Sequence, residues 1–147
     1  MSHIHWIGTG LSAIPGIKKL IQNGYQITVW NRTVLTAEQS LKDCAVTVRE
    51  FSIPALSKEL SNRDILVSML PGEWHVSLAK LCLEKGANFV SSSYISPEML
   101  ELSENFKAAN LACVNEVGLD PGIDHSMAHY LVSDLKKYEL DSDISVD

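Results

Sequence analysis

The sequence predicts an α/β protein, a doubly wound parallel sheet with helices on both faces. Three observations carry this. Short β-type apolar runs alternate strictly with longer helical stretches, and parallel strands require such crossovers. A glycine-rich turn follows the first run directly and opens the first helix. The 147 residues hold no internal repeat, low-complexity tract or clear linker, which suits one domain with a real core.

His3 to Ile7 reads as the first strand. Leu11 to Asn23 follows as a helix with apolar residues at 11, 14, 17, 20 and 21, and Gly24 stands at its C′ position. Gln26 to Trp30 is a second strand. Thr36-Ala37-Glu38-Gln39 matches a capping box and is expected to start a short helix. Val46 to Val48 suggests a third strand, Ile53 to Leu60 a short helix, and Asp64 to Leu70 a buried-type strand ending at Pro71-Gly72. Trp74 to Lys85 is expected to be helical and closed by Gly86, with Asn88 to Ser92 extended. Ser96-Pro97-Glu98 provides an N-cap, a proline at N1 and an early acid for one helix reaching about Ala108. Leu111 to Asn115 is the last clear strand. After the turn-rich GLDPGID a helix is expected from about His125 to Lys137. The acidic tail Glu139 to Asp147 has a strand-like pattern at its end and stops without punctuation, which points to a chain cut from something longer.

Composition is that of a globular protein, with 46% hydrophobic and 20% charged residues. The net charge of −6 argues against a nucleic-acid partner, because neutralising phosphates needs a surplus of Lys and Arg on one face. The longest apolar stretch, Ile65 to Pro71, is far short of the roughly 20 residues of a membrane span. The N-terminus lacks a basic region followed by a long apolar one, so no export signal is read. Cys44, Cys82 and Cys113 are odd in number and widely spaced, which suits reduced thiols and a cytoplasmic location.

Gly8-Thr9-Gly10-Leu11-Ser12-Ala13 is a G-x-G-x-x-A sequence, and its place between a strand and a helix makes it informative. The first glycine permits the tight turn, the second lets backbone approach a pyrophosphate, and Ala13 lets helix and strand pack closely. The helix N-terminus then offers unpaired N–H groups and a positive dipole end to phosphates. This is a Rossmann-type dinucleotide site. The end of the second strand selects the nucleotide. NAD sites usually carry Asp or Glu there for the ribose 2′-OH, whereas this chain has Asn31-Arg32-Thr33. Asn31 removes a charge that would repel a 2′-phosphate, Arg32 offers a fork to it and a flat face to the adenine, and Thr33 adds a hydroxyl. NADP is therefore expected over NAD. Met69-Leu70-Pro71, at the carboxyl end of the fourth strand, is expected to line the nicotinamide ribose.

Two later segments also follow strands: Ser91 to Pro97 (SSSYISP) and Val114 to His125 (VNEVGLDPGIDH). A Tyr and an Asp there supply hydrogen bonds and a proton relay for a polar substrate, provided their surroundings tune them. Together, NEVGLDPGIDH, the SSYISPEM run about twenty residues before it and GTGLSA at the N-terminus resemble saccharopine dehydrogenase of the glutamate-forming type, over nearly the whole chain. The resemblance implies an NADP-binding Rossmann domain, residues 1–124. A helix at 125–147 then begins the crossover to a substrate domain that this chain lacks, together with its substrate-carboxylate arginines. It implies hydride transfer between NADPH and the imine formed from 2-aminoadipate 6-semialdehyde and glutamate, an amino-acid substrate, and leaves a homodimer open. Carried over by position, Tyr94 and Asp120 contact the substrate and assist proton transfer. Ser93 and the Pro121-Gly122 backbone help seat a substrate carboxylate.

Two other readings compete: a reductase of the polyamine-forming carboxy-amine type, and a non-catalytic NADP-binding module. Asp120, Asp124, His125 and His129 invite a metal reading, since His at i and i+4 share a helix face. Hydride transfer to an imine needs no metal, and Asp124 serves equally as a helix N-cap, so none is expected. His3, His5, His75, Trp6 and Trp30 are expected to be structural. Trp74 is expected to pack more than to cover the cofactor. Glu116 either sits buried beside the crevice or bonds the following turn.

Overall fold

In the computed structural model, which describes residues 2–137, six parallel strands form one sheet in the order β3-β2-β1-β4-β5-β6. The strands are β1 (Ile4–Ile7), β2 (Ile27–Asn31), β3 (Thr47–Glu50), β4 (Ile65–Ser68), β5 (Asn88–Ser91) and β6 (Cys113–Val114). Strand order reverses between β1 and β4, and the carboxyl ends beside that switch point are where ligands bind in such sheets. The expected Rossmann-type fold is the one observed.

Helices α1 (Ala13–Gln22) and α2 (Val34–Ser40) lie on one face, and α3 (Ile53–Glu59), α4 (His75–Lys85), α5 (Pro97–Glu101) and α6 (Ser103–Ala108) on the other. Alternate residues of each inner strand point to opposite faces. Trp6 and Val29 therefore pack under α1 and α2, whereas Ile7 and Trp30 join Leu56, Leu78 and Phe89 beneath the second layer. Each such buried Leu or Phe contributes on the order of 1.5–3 kcal/mol. Gly86, at φ 70°, ends α4 in the left-handed conformation, and Ser52 and Ser96 cap α3 and α5 through Ala55 N–H and Met99 N–H.

Four local expectations change. Helix α2 starts at Val34, not at the Thr36 capping box, because extended Thr33 already turns the chain after β2, leaving Thr36 inside the helix. The single helix expected after Ser96 is two short ones, broken at Leu102, whose N–H reaches Met99 O in a tighter turn. The last strand shortens to Cys113–Val114, because Leu111 N–H bonds Phe106 O and Ala112 N–H is held by the Asn88 side chain. Helix α7 (Ile123–Lys137) begins two residues before His125, so the division expected after residue 124 falls in its first turn. Asp124 is thus inside the helix, with its carboxylate accepting the N–H of Gly122 at 2.8 Å. The tail strand lies outside the described residues. Among the described residues no helix is long and apolar enough to cross a membrane.

His3, His5 and His75 are structural, as expected. Trp30 Nε1–H donates to His5 Nδ1 at 3.1 Å, and His5 Nε2 lies 3.4 Å from Asp64 Oδ2 without hydrogen-bond alignment. Asp64 instead accepts the backbone N–H groups of His3 and Ser61. Burial, with His3 nearby, holds the His5 imidazole below the ordinary histidine value despite Asp64. Burial also lowers His75, which sits edge-on to Phe89. A histidine with a lowered folded value binds fewer protons folded than unfolded, so its stabilising contribution is complete above about pH 6.5. It erodes as the pH falls from there through the folded value. Each excluded proton costs about 1.4 kcal/mol per pH unit in that window. The denaturation midpoint should therefore drop between neutral and mildly acidic pH, and a flat profile would remove both imidazoles as the cause.

Candidate functional site

The carboxyl edge of the sheet is shaped first by the turn after β1. Gly8 has φ 96°, a conformation that excludes a β-carbon, and its N–H bonds Trp30 O at 2.9 Å. Gly10 has nothing within 4 Å of where a β-carbon would stand, so the loop's outer surface is open to a ligand. Trp6 Nε1–H donates to Gly8 O at 3.0 Å, and its ring lies under α1, where a β-carbon on Gly16 would come within 3.1 Å of it. Ala13 is 1% exposed, which is the close helix–strand packing its small side chain allows.

A cavity of about 970 Å³ opens above this turn. Its walls come from the ends of four strands. Gly8, Thr9 and Gly10 follow β1, Asn31, Arg32 and Thr33 end β2, Phe51 to Pro54 follow β3, and Leu70, Pro71, Glu73 and Trp74 follow β4. Eight of the eleven residues expected at the cofactor are therefore brought together. Leu11, Ser12 and Met69 are not among the lining. Leu11 is 96% exposed, and Ser12 forms the entry to α1. Met69 lies against Gly8 on the sheet side, where its backbone and Cβ would stand 3.4 Å from a β-carbon there. Asn31 does more than withhold a charge, for its Nδ2–H donates to Thr33 O at 2.9 Å and shapes the turn that presents Arg32. Thr36, Phe51, Ser52, Ile53, Pro54 and Glu73 were not expected. Trp74 is 38% exposed at this cavity, so it is not simply packed away.

The loops after β5 and β6 form a second cluster on the same edge. Tyr94 Oη–H donates to Asp120 Oδ1 at 2.5 Å. The loops are laced together: Glu116 N–H bonds Ser93 O, Ile95 N–H bonds Glu116 Oε1 at 3.1 Å, and Ser91 Oγ–H donates to Asn115 Oδ1. Glu116, at φ 61°, therefore bonds the neighbouring loop rather than its own turn. The hydrogen bond to Asp120, with Glu116 and Asp124 also near, raises the Tyr94 phenol above its ordinary value, so it stays protonated at neutral pH. Pro121 follows a cis bond and is buried, and Gly118 N–H closes the turn onto Pro121 O. Because Gly122 N–H is committed to Asp124, it is not free for a substrate carboxylate. The cavity beside the phosphate turn does not extend to Tyr94 or Asp120. The two clusters meet through Met69, whose sulfur accepts weakly from Ser92 Oγ at 3.9 Å.

The profile of a family described as Saccharopine dehydrogenase NADP binding domain matches residues 4–114. The chain belongs to this family. Over 126 residues it is 35% identical to saccharopine dehydrogenase (NADP(+), L-glutamate-forming) of Saccharomyces cerevisiae, covering 83% of this chain and 28% of that protein. It is 33% identical over 144 residues to the protein of the same name from Schizosaccharomyces pombe, covering 93% and 32%. The solved apo histidine-tagged saccharopine dehydrogenase (L-Glu forming) from Saccharomyces cerevisiae superposes with a TM-score of 0.80 at 30% identity, covering 93% of this chain and 32% of that one. The chain thus spans about a third of the length of these relatives, 28–32%.

Membership of an NADP-binding family agrees with the nucleotide expected from Asn31 and Arg32. The family match runs from the start of β1 to the end of β6, the whole sheet. Tyr94 falls inside it, while Asp120 falls beyond it.

Proposed function

We propose that this chain is the NADP-binding part of a saccharopine dehydrogenase (L-glutamate-forming), an oxidoreductase of lysine metabolism. One observation supports it above the others: a Tyr94–Asp120 hydrogen bond stands on the same sheet edge as a dinucleotide cavity rimmed by Arg32 and Thr33. The Gly8–Gly10 turn would hold the pyrophosphate, and Arg32 with Thr33 the 2′-phosphate. A nicotinamide held by these residues would supply the hydride exchanged with the carbon of the imine formed from 2-aminoadipate 6-semialdehyde and glutamate. In the oxidative direction the amine proton passes to Tyr94 Oη as the phenolic proton passes to Asp120 Oδ1, so no bare phenolate builds up. The reductive direction runs the same two transfers backwards. Glu116, Asp120 and Asp124 make this cluster acidic, which favours a cationic amine there. Residues 1–124 form the nucleotide domain in this reading, and Ser93 helps seat a substrate carboxylate. Three free cysteines suit the cytoplasm, the compartment we assign, and a homodimer is compatible with it.

Nucleotide binding to the chain, followed by nicotinamide fluorescence, should favour NADPH over NADH. The expressed gene product should reduce NADP in the presence of saccharopine. Equal or stronger binding of NADH would defeat the 2′-phosphate assignment. Tight NADP binding without saccharopine turnover would defeat the substrate assignment and leave a nucleotide-binding module.

A further inference from the structure

The cavity's walls come from the ends of β1 to β4, and none of its lining comes from β5 or β6. It therefore includes the Arg32 side of the crevice, where the adenosine lies in this reading. A purine bound there needs a flat apolar surface as well as charge. Trp30 lines the same space but is 1% exposed, so its faces are already covered. Phe51 and Trp74 remain. They arrive from opposite sides, one after β3 and the other in the single 3-10 turn Gly72–Trp74 after β4, and their rings meet edge to face with centroids 5.7 Å apart and planes at 73°. Such a contact occupies one face of one ring and leaves other ring faces for a third aromatic.

The backing of the two rings differs. Phe51 packs against the core beneath α3 and α4, so it is held. Trp74 is anchored through its main chain, with its N–H on Pro71 O and its carbonyl accepting Ser77 Oγ–H at 2.8 Å, while 38% of the residue is exposed and it lines the cavity. The part of an indole left exposed in this way is costly to leave in water and cheap to cover. We propose that Phe51 and Trp74 form the platform on which the adenine of the dinucleotide stacks, Trp74 closing over the base. This rests on the NADP reading above and adds the residues that recognise the base.

The test uses the 147-residue chain with three probes: NADPH, adenosine 2′,5′-bisphosphate and nicotinamide mononucleotide. Trp6 and Trp30 are buried, so the tryptophan emission that adenosine 2′,5′-bisphosphate quenches by contact belongs to Trp74. NADPH and adenosine 2′,5′-bisphosphate should both quench it. Trp74→Ala should weaken both ligands about tenfold, as expected for loss of one base–aromatic stack, while Trp74→Phe should keep most of the affinity. Melting temperatures of both variants should stay well above the assay temperature, so that a lost affinity is not lost folding. An affinity of Trp74→Ala for adenosine 2′,5′-bisphosphate within about twofold of the parent would overturn the platform and leave NADP binding intact. A loss as large for nicotinamide mononucleotide as for the bisphosphate would also overturn it, placing Trp74 at the other end. If the parent chain binds neither NADPH nor the bisphosphate, the NADP reading itself falls and the platform with it.

Discussion

Arg32→Ala should weaken NADPH binding by one to two orders of magnitude and change NADH binding little. A hydrogen bond to a charged group contributes about 1.5–3 kcal/mol, a factor of roughly 10 to 150 in affinity. Arg32 is exposed, so screening places the effect toward the lower end at physiological salt and the upper end in dilute buffer. Calorimetric titration of both nucleotides at two salt concentrations measures this. Folding should be unaffected, since the side chain is on the surface. Equal losses for NADPH and NADH would mean that Arg32 acts on the shared phosphates or on the adenine, not on the 2′-phosphate.

Tyr94→Phe or Asp120→Asn in the expressed gene product should lower turnover with saccharopine about 10²- to 10⁴-fold, the range of a lost general acid–base group, with NADP affinity nearly unchanged. The pH dependence gives a second readout. Because the hydrogen bond to Asp120 is the main cause of the raised Tyr94 phenol, Asp120→Asn should bring the phenol's ionisation back toward its ordinary value. The residual activity of that variant should then fall off at lower alkaline pH than that of the parent. Parent and variant profiles with the same alkaline limb would show that Tyr94 does not titrate in the reaction. Unchanged turnover in both variants would remove the pair from the chemistry.

The phosphate turn was readable because its glycines answer to backbone geometry alone: Gly8 at positive φ and Gly10 with open space beside it are needs that few other residues meet. Arg32 was readable because its position relative to the second strand fixes what it meets. Phe51 and Trp74 were not, since an apolar residue at a strand end reads equally as core, and only the three-dimensional neighbours separate the two. The start of α2 was misplaced because a sequence pattern of hydroxyl and carboxamide says nothing about where the preceding strand releases the chain. Tyr94 and Asp120 lie 26 residues apart, so no periodicity links them; the resemblance named both, and the structure supplied the bond between them. The Gly122 N–H bonds Asp124, a local partner that the sequence alone does not show.

Trp6 has a consequence beyond packing. Its indole N–H on Gly8 O, and its ring against Gly16, fasten strand, phosphate turn and first helix before any nucleotide arrives. The turn therefore has little freedom left to lose, and association should proceed without a slow ordering step at ordinary protein–ligand rates. Differences among nucleotides should then appear as differences in how long each one stays.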